Sequence, residues 1–292
     1  MAEELEKPDH NRQKKLAVIN DFCGFGRCSI SVELPVISAM GVQCCPLPTA
    51  IFSNHTGYPS FFHTDYTEHF AEYAAEWKKL DLEFEGIATG FLGSAEQISL
   101  VKDFLEQFIT SRTRVAVDPV MGDYGKLYPT YTPELAGRMH ELLPYADILT
   151  PNLTEACILT DTPYREKMEE GELLRMCRAL SEQGPEKVVI SGIEESGRLG
   201  NYVYERGQEP AFIWTEKLGG NRSGTGDVFS AILAADMVKG TDFRTSVEKA
   251  ARFIGTAIRK TEELGIPPTD GLAIEECLLD LADRGRGSGE GG

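Results

Sequence analysis

Apolar positions along this chain alternate between two periods. Short continuous apolar runs at residues 16–20, 42–47, 86–92, 115–117, 146–150 and 187–190 have the length and composition of strands buried on both faces. Between them, apolar residues fall at helical spacing. Phe70, Tyr73, Ala74 and Trp77 share one face of a helix over 67–80. Ser94 stands three residues before Gln97, the spacing of a capping box, and Ile98, Val101, Phe104, Leu105 and Phe108 continue that helix. Thr132 with Pro133 predicts an N-cap followed by proline at the first helical position. Further helices are expected up to Gly41, over 169–183 and over 243–264, with a last one over 273–283. Residues 201–206 and 211–216 flank a turn near Gly207, as a hairpin would.

Strands that alternate with helices predict an α/β fold: one domain over 16–283, a three-layer α/β/α sandwich around a mostly parallel sheet. In such sheets ligands sit at the carboxyl ends of the strands. Asp21, Gly93, Asp118, Asn152 and Ser191 each follow a predicted strand closely, so they are expected along one sheet edge. The run Asp21-Phe22-Cys23-Gly24-Phe25-Gly26-Arg27 reads as a glycine loop after the first strand. It is not a dinucleotide fingerprint, because Ser29 stands where a third glycine is needed.

The stretch Gly219-Gly220-Asn221-Arg222-Ser223-Gly224-Thr225-Gly226-Asp227 opens an apolar helix in which Phe229, Ile232, Leu233 and Met237 recur at helical spacing, with Gly240 as its stop. Unpaired amides and the positive end of a helix dipole at such a loop make an anion site. Asp227 lies in the first turn and could take a proton from an attacking hydroxyl while the amides stabilise a phosphoryl group. The plainer reading is a glycine turn whose Asp caps a helix. Asp118 and Glu155 are hard oxygen donors suited to Mg²⁺, with Asn152 placed to orient a water. Their plainer readings are a turn residue before Pro119 and an acid in the first turn of a helix.

Composition narrows the partners. The net charge of −17 over 292 residues argues against nucleic acid or an anionic membrane, so an anionic substrate needs a local amide-lined or cationic site. No run reaches transmembrane length, and residues 1–15 carry no apolar signal core; they read as a flexible leader, and 284–292 as a disordered tail. Seven cysteines without a CxxC pair fit reduced thiols in a cytoplasmic protein. Walker A spacing and the protein-kinase signatures are absent.

Five segments together resemble pyridoxal kinase, a vitamin B6 kinase of the ribokinase-like superfamily. They are Phe52-Ser53-Asn54-His55-Thr56-Gly57-Tyr58, the run from Gly90 to Gln97, Asp118-Pro119-Val120-Met121-Gly122, Thr150-Pro151-Asn152 with Glu155, and Gly224-Thr225-Gly226-Asp227. The last two patterns belong to the whole superfamily; the first two are specific to B6 kinases. The resemblance spans roughly residues 16–264 and implies ATP-dependent phosphorylation of the 5′-hydroxymethyl group of a B6 vitamer. It implies Asp227 as base and the amides of Gly224, Thr225 and Gly226 as the phosphoryl site. Asp118 and Glu155 would serve Mg²⁺. Asp118, Thr150 and Ser191 match a monovalent-cation site of the K⁺ type, with Asp123, Asn152 and Ser191 on the ATP side. Phe52, Asn54, His55 and Thr56 would border the ring, though His55 also suits a hydrogen-bonded structural role and Tyr58 packing. A homodimer is implied as well. Two departures border the substrate: Asn20-Asp21-Phe22 stands where Gln-Ser-His is usual, and Phe91 where Tyr is usual. Asp21 would face the ring, or else pair with Arg27 or cap the next helix. The competing activities are a hydroxymethylpyrimidine kinase and a non-catalytic B6-binding protein of the same fold.

Overall fold

The computed structural model of the protein describes residues 9–282. Of the expected leader and tail, residues 1–8 and the whole of 284–292 lie outside it. In chain order the first half comprises β1 (Lys15–Phe25), α1 (Ile30–Ala39), β2 (Gln43–Asn54), β3 (His63–Asp65), α2 (Thr67–Lys79), β4 (Gly86–Thr89), α3 (Ala95–Phe108), β5 (Arg114–Val117), and the short hairpin β6 (Gly122–Asp123) and β7 (Lys126–Leu127). The second half comprises α4 (Pro133–Arg138), β8 (Ile148–Leu149), α5 (Leu153–Leu159), α6 (Glu170–Ser181), β9 (Lys187–Glu195), β10 (Arg198–Glu205), β11 (Ala211–Glu216), α7 (Thr225–Lys239) and α8 (Phe243–Glu263).

One nine-stranded sheet runs β11-β10-β9-β8-β5-β4-β1-β2-β3. Its centre, from β9 to β2, is parallel, and antiparallel strands close both ends. The apolar run that opens β1 is buried on both faces: Leu16 and Val18 join one core with α1, α7 and α8, while Ala17 and Ile19 join the other with α2 to α6. This is the expected three-layer α/β architecture. The expected caps form at Ser94, whose side chain accepts from the Gln97 amide, and at Thr132, which accepts from the Leu135 amide.

Four differences from the sequence reading have physical causes. First, β1 does not break at Asp21 and β2 does not end near Leu47. After a bulge between Asn20 and Phe22 the two strands keep pairing, Phe22 with Ile51 and Cys23 with Phe52, so both glycine and polar positions stay extended. Second, β9 continues past Ile190 into a hairpin with β10 through Ser196 and Gly197, both at positive φ, which places Ser191 inside a strand rather than beyond its end. Third, the short strands β3, β6 and β7 carry no apolar run that would have marked them. Fourth, the helix expected over 273–283 is two single 3-10 turns at Ile274–Glu276 and Leu278–Asp280. There the Ala273 amide donates to the Thr261 hydroxyl of α8 at 2.8 Å, which ties this segment to α8.

The helix α7 is buried on almost all sides, which fits its nearly uniform apolar sequence. Its Asp236 is fully buried and its Oδ1 accepts from Lys249 Nζ of α8 at 2.8 Å and from Thr241 Oγ1 at 3.0 Å. Removing the cation strands a buried carboxylate. Lys249→Met is therefore expected to lower stability by about 3 kcal/mol, the lower end for a broken buried pair because Lys249 keeps some water contact. A denaturant midpoint that does not move, at unchanged slope, contradicts this.

Candidate active site

The glycine loop packs backbone against backbone. Gly224 has φ 80°, and a Cβ added there would lie 1.9 Å from the Arg27 carbonyl oxygen and 3.1 Å from the Cys28 Cα. Only glycine fits, and the start of α7 is thereby held against the connection between β1 and α1. The first helical hydrogen bond runs from the Val228 amide to the Gly224 carbonyl at 3.0 Å, so the amides of Thr225 and Gly226 precede it and find no backbone partner among the described residues. A Cβ at Gly226 would meet open space. The loop therefore presents free amides at a dipole's positive end, as its sequence implied.

Asp227 sits beside those amides, partly exposed. Its carboxyl lies above the ordinary Asp range because of burial, opposed by hydrogen bonds from the Ser29 amide and the Asn20 side chain and by the His55 ring nearby. Asn20 is a hub. Its Oδ1 accepts from the amides of Asp21 at 2.9 Å and Phe91 at 2.8 Å, and its Nδ2 donates to Glu33 at 3.0 Å. Glu33, on α1, is buried, and that burial, then the charge of Asp227, lifts its carboxyl well above the usual range. Asp21 is buried too and accepts a hydrogen bond from the Cys23 thiol at 3.3 Å. Burial pushes its carboxyl up to about 6 against a hydrogen bond from Ser29. It does not pair with Arg27, whose guanidinium meets Glu275 at 2.9 Å.

Asp118 and Thr150 end neighbouring strands, and Ser230 of α7 joins them: its hydroxyl donates to Asp118 Oδ2 at 2.6 Å and lies 3.2 Å from Thr150 Oγ1. Burial pushes the Asp118 carboxyl up to about 7. Glu155 and Asn152 form a capping box on α5: Asn152 Oδ1 accepts from the Glu155 amide, and Glu155 Oε2 accepts from the Asn152 amide. Glu155 Oε1 takes the Met121 amide at 3.0 Å, and Asn152 Nδ2 donates to the Gly122 carbonyl at 2.8 Å. Both residues thus have structural work. Burial, then the Asp118 charge, raises the Glu155 carboxyl well above the usual range. Among the described residues no Lys or Arg pairs with Asp118 or Glu155. Two neighbouring carboxylates without a cation suit a hard divalent ion that keeps several waters. No group of three or more His, Cys, Asp or Glu that could hold a metal alone occurs among the described residues, so further ligands would come from water and a bound anion. Asp123 lies exposed on β6, its Oδ1 accepting from the Tyr124 amide, and Ser191 bridges to Asn152.

The aromatic positions converge. Phe52 on β2 lies edge-on to Phe91 at 6.0 Å and stacks on His63 at 5.1 Å, while Phe91 packs on Tyr131. His55 Nδ1 accepts from the Gly57 amide at 3.1 Å, so its Nε2 carries the proton and donates to the Thr269 carbonyl at 2.7 Å. Both ring nitrogens are spent on the fold, leaving the ring face. Tyr58 donates to Asp270 at 2.8 Å. Asn54 Nδ2 donates to the Ser60 carbonyl at 2.8 Å, and Thr56 lies in the exposed turn beyond it.

Sequence reasoning missed Glu33 and Ser230, and named Asn20 only as part of the Asn20-Asp21-Phe22 departure. Glu33 had a signal, a lone charge on the stripe with Ile30 and Ile37; Ser230 had one as well, three residues after Asp227 on the same helix face.

The phosphomethylpyrimidine kinase family matches residues 26–270. The chain belongs to that family. A pyridoxal kinase of Arabidopsis thaliana is 30% identical over 249 residues, 80% of this chain and 79% of that one. A Bacteroides thetaiotaomicron structure described as a phosphomethylpyrimidine kinase, in a crystal form with pyridoxal, is 37% identical with TM-score 0.89, covering 92% of this chain and 96% of that one. Pyridoxal kinase from Lactobacillus plantarum is 27% identical with TM-score 0.85, covering 92% and 96%. The resemblance read from the five segments and the fold it implied both hold.

Asp21 gives a test in solution. Its folded carboxyl titrates near 6 against an unfolded value of 3.8, so its ionisation destabilises the fold, and that cost grows as pH rises through this window. Asp21→Asn is expected to raise Tm by roughly a few degrees at pH 8, with the gain shrinking below pH 6 and vanishing near pH 3.8. A gain that is constant across pH, or absent at pH 8, refutes the buried-acid assignment.

Proposed function

We propose that the protein transfers the γ-phosphoryl group of ATP to the 5′-hydroxymethyl group of a vitamin B6 vitamer. The observation that carries this is one carboxylate, Asp227, set beside the free amides of Thr225 and Gly226. The Phe52–Phe91 aromatic pair, for a flat ring, supports the same reading. The likeness to a structure with pyridoxal supports it further.

In this reading Asp227 accepts the hydroxyl proton as oxygen attacks phosphorus, and the raised carboxyl makes it a better base than an ordinary Asp. The amides of Gly224, Thr225 and Gly226 hold the equatorial oxygens of the phosphoryl in flight. Mg²⁺ near Asp118 and Glu155 would supply charge neutralisation between phosphate oxygens and those carboxylates. Asp118, Thr150 and Ser191 would serve a monovalent cation such as K⁺, and Asp123 and Asn152 would line the ATP side. Asp21, Asn54, His55 and Thr56 would border the vitamer, His55 by its ring face. A cytoplasmic location belongs to the same reading, supported by seven free cysteines. The second reading, a hydroxymethylpyrimidine kinase, is favoured by the description of the matching family. Turnover of pyridoxal, pyridoxine, pyridoxamine and hydroxymethylpyrimidine with MgATP and K⁺ separates the two.

Asp227→Asn is expected to lower kcat by about 10²–10⁴-fold with KM for both substrates little changed. A purified variant near wild-type kcat would remove Asp227 as the base.

We also propose a homodimer. Phe22, Phe25, Ile51 and Phe62 are 41%, 58%, 42% and 71% exposed at the extended ends of β1 and β2 and the start of β3. Phe22 and Ile51 are register partners on this apolar surface. Phe22→Ser with Phe62→Ser is expected to halve the mass measured by light scattering. A wild-type chain that is monomeric at micromolar concentration contradicts the proposal.

A further inference from the structure

Glu33 is a buried acid that the proposed chemistry does not use. It is 4% exposed, lies between Ile30 and Ile37 on the buried stripe of α1, and has no Lys or Arg within ion-pair distance among the described residues. Its electrostatic neighbours are Asp227, Asp118 and Asp21, all of its own sign. A carboxyl there costs stability whether it is ionised or holds a proton, and an apolar side chain of similar length would cost less. Something other than stability accounts for it.

Its hydrogen bond says what. Asn20 Nδ2 donates to Glu33 Oε2 at 3.0 Å, while Asn20 Oδ1 accepts from the Asp21 and Phe91 amides at 2.9 and 2.8 Å. The two backbone amides and Glu33 together leave one orientation for the Asn20 carboxamide. The Asn20 side chain also bears on Asp227, holding its carboxyl down against the burial that raises it. The amide also lies flat over Gly90, where an added Cβ would come within 2.5 Å of it, so it cannot retreat in that direction.

We propose that Glu33 is a positioning residue: by holding Asn20 it aims an N–H at the Asp227 carboxylate and fixes that carboxylate toward the attacking hydroxyl. The proposal rests on the kinase reading of Asp227. Either protonation state of Glu33 retains an oxygen that accepts from Asn20, and so does the carboxamide oxygen of glutamine. An apolar side chain does not.

The test compares Glu33→Met with Glu33→Gln in the full-length protein, assayed by steady-state phosphorylation of the best vitamer. Glu33→Met is expected to lose about tenfold in kcat, the ordinary worth of one hydrogen bond to a charged group. KM for ATP and vitamer should stay within about twofold, because the interaction acts on the reacting group alone. Its Tm should hold or rise, since a buried acid among like charges is gone. Glu33→Gln should recover most of the lost kcat. In a double-mutant cycle, adding Glu33→Met to Asn20→Ala should cost nothing beyond Asn20→Ala alone. Wild-type kcat in Glu33→Met, equal loss in Met and Gln variants, or additive losses in the cycle each overturn the proposal. Should Glu33→Met fail to fold, Asn20→Ser decides: a fall in kcat at constant KM supports the proposal and an unchanged kcat overturns it. A wild-type chain that phosphorylates no alcohol substrate overturns the kinase reading itself, and this proposal with it; an active wild type with an indifferent Glu33 overturns only the assignment of Glu33.

Discussion

One backbone carbonyl, that of Arg27, holds the site together. Gly224 presses on it from the glycine loop, where an added Cβ would sit 1.9 Å away, and Gly271 presses on it from the C-terminal segment, at 2.6 Å. The Arg27 amide donates to the Asp270 carbonyl at 3.2 Å, and its guanidinium meets Glu275. Because both glycines have positive φ, the approach is open to no other residue without strain. The consequence reaches beyond the contact. The start of α7 is tied to the connection after β1, which brings Asp227 to Asn20 and Ser29. The segment that carries Asp270 also receives the hydrogen bonds of His55 and Tyr58, so the aromatic loop and the glycine loop share one anchor.

Around that anchor the electrostatics are lopsided. Asp21, Glu33, Asp118, Glu155 and Asp227 all lie toward one edge of the sheet, and all titrate above the ordinary carboxylate range because burial disfavours their charge. A chain of net charge −17 offers a polyanionic nucleotide no long-range attraction. In the proposed function, binding draws on local positive ends, the free amides of α7 and a divalent cation of the kind that ATP-dependent kinases use in general. What keeps Asp227 basic is its burial rather than the charge of its neighbours.

Much of this was legible in sequence because it is local. Gly224 to Asp227, the caps at Ser94 and Thr132, and the Asn152–Glu155 spacing are all decided within a few residues, and each forms as its spacing implies. What was not legible depends on distant partners. The extension of β1 through Asp21 comes from pairing with β2 beyond a bulge, which no run of β1 itself encodes. Ser230 gains its meaning from Asp118, 112 residues away, and Asn20 from Phe91, 71 residues away. The segment near the C-terminus is likewise placed by a distant partner, the Ala273 amide donating to Thr261 on α8. Glu33 is the exception: its charge on an apolar stripe was visible and went unread.

In the proposed function, where Asp21 borders the vitamer, its departure would bear on substrate choice through a count of hydrogen bonds. Asp21 takes donors from Cys23 and Ser29, and its own backbone amide is spent on Asn20. A carboxylate has about four acceptor sites, so capacity remains for a ligand. At 6% exposure, however, a ligand donor reaches it only by displacing one of those internal donors or by approaching the one face that they leave. A neutral hydroxyl would gain little from such an exchange, because it replaces like with like. A protonated ring nitrogen would gain more, since its charge also offsets the cost of ionising a buried carboxyl that burial lifts to about 6. The serine usual at this position could offer no such relief. The physical preference that Asp21 would introduce in that proposal is therefore for a cationic ring, set by the charge state of the ligand rather than by its shape.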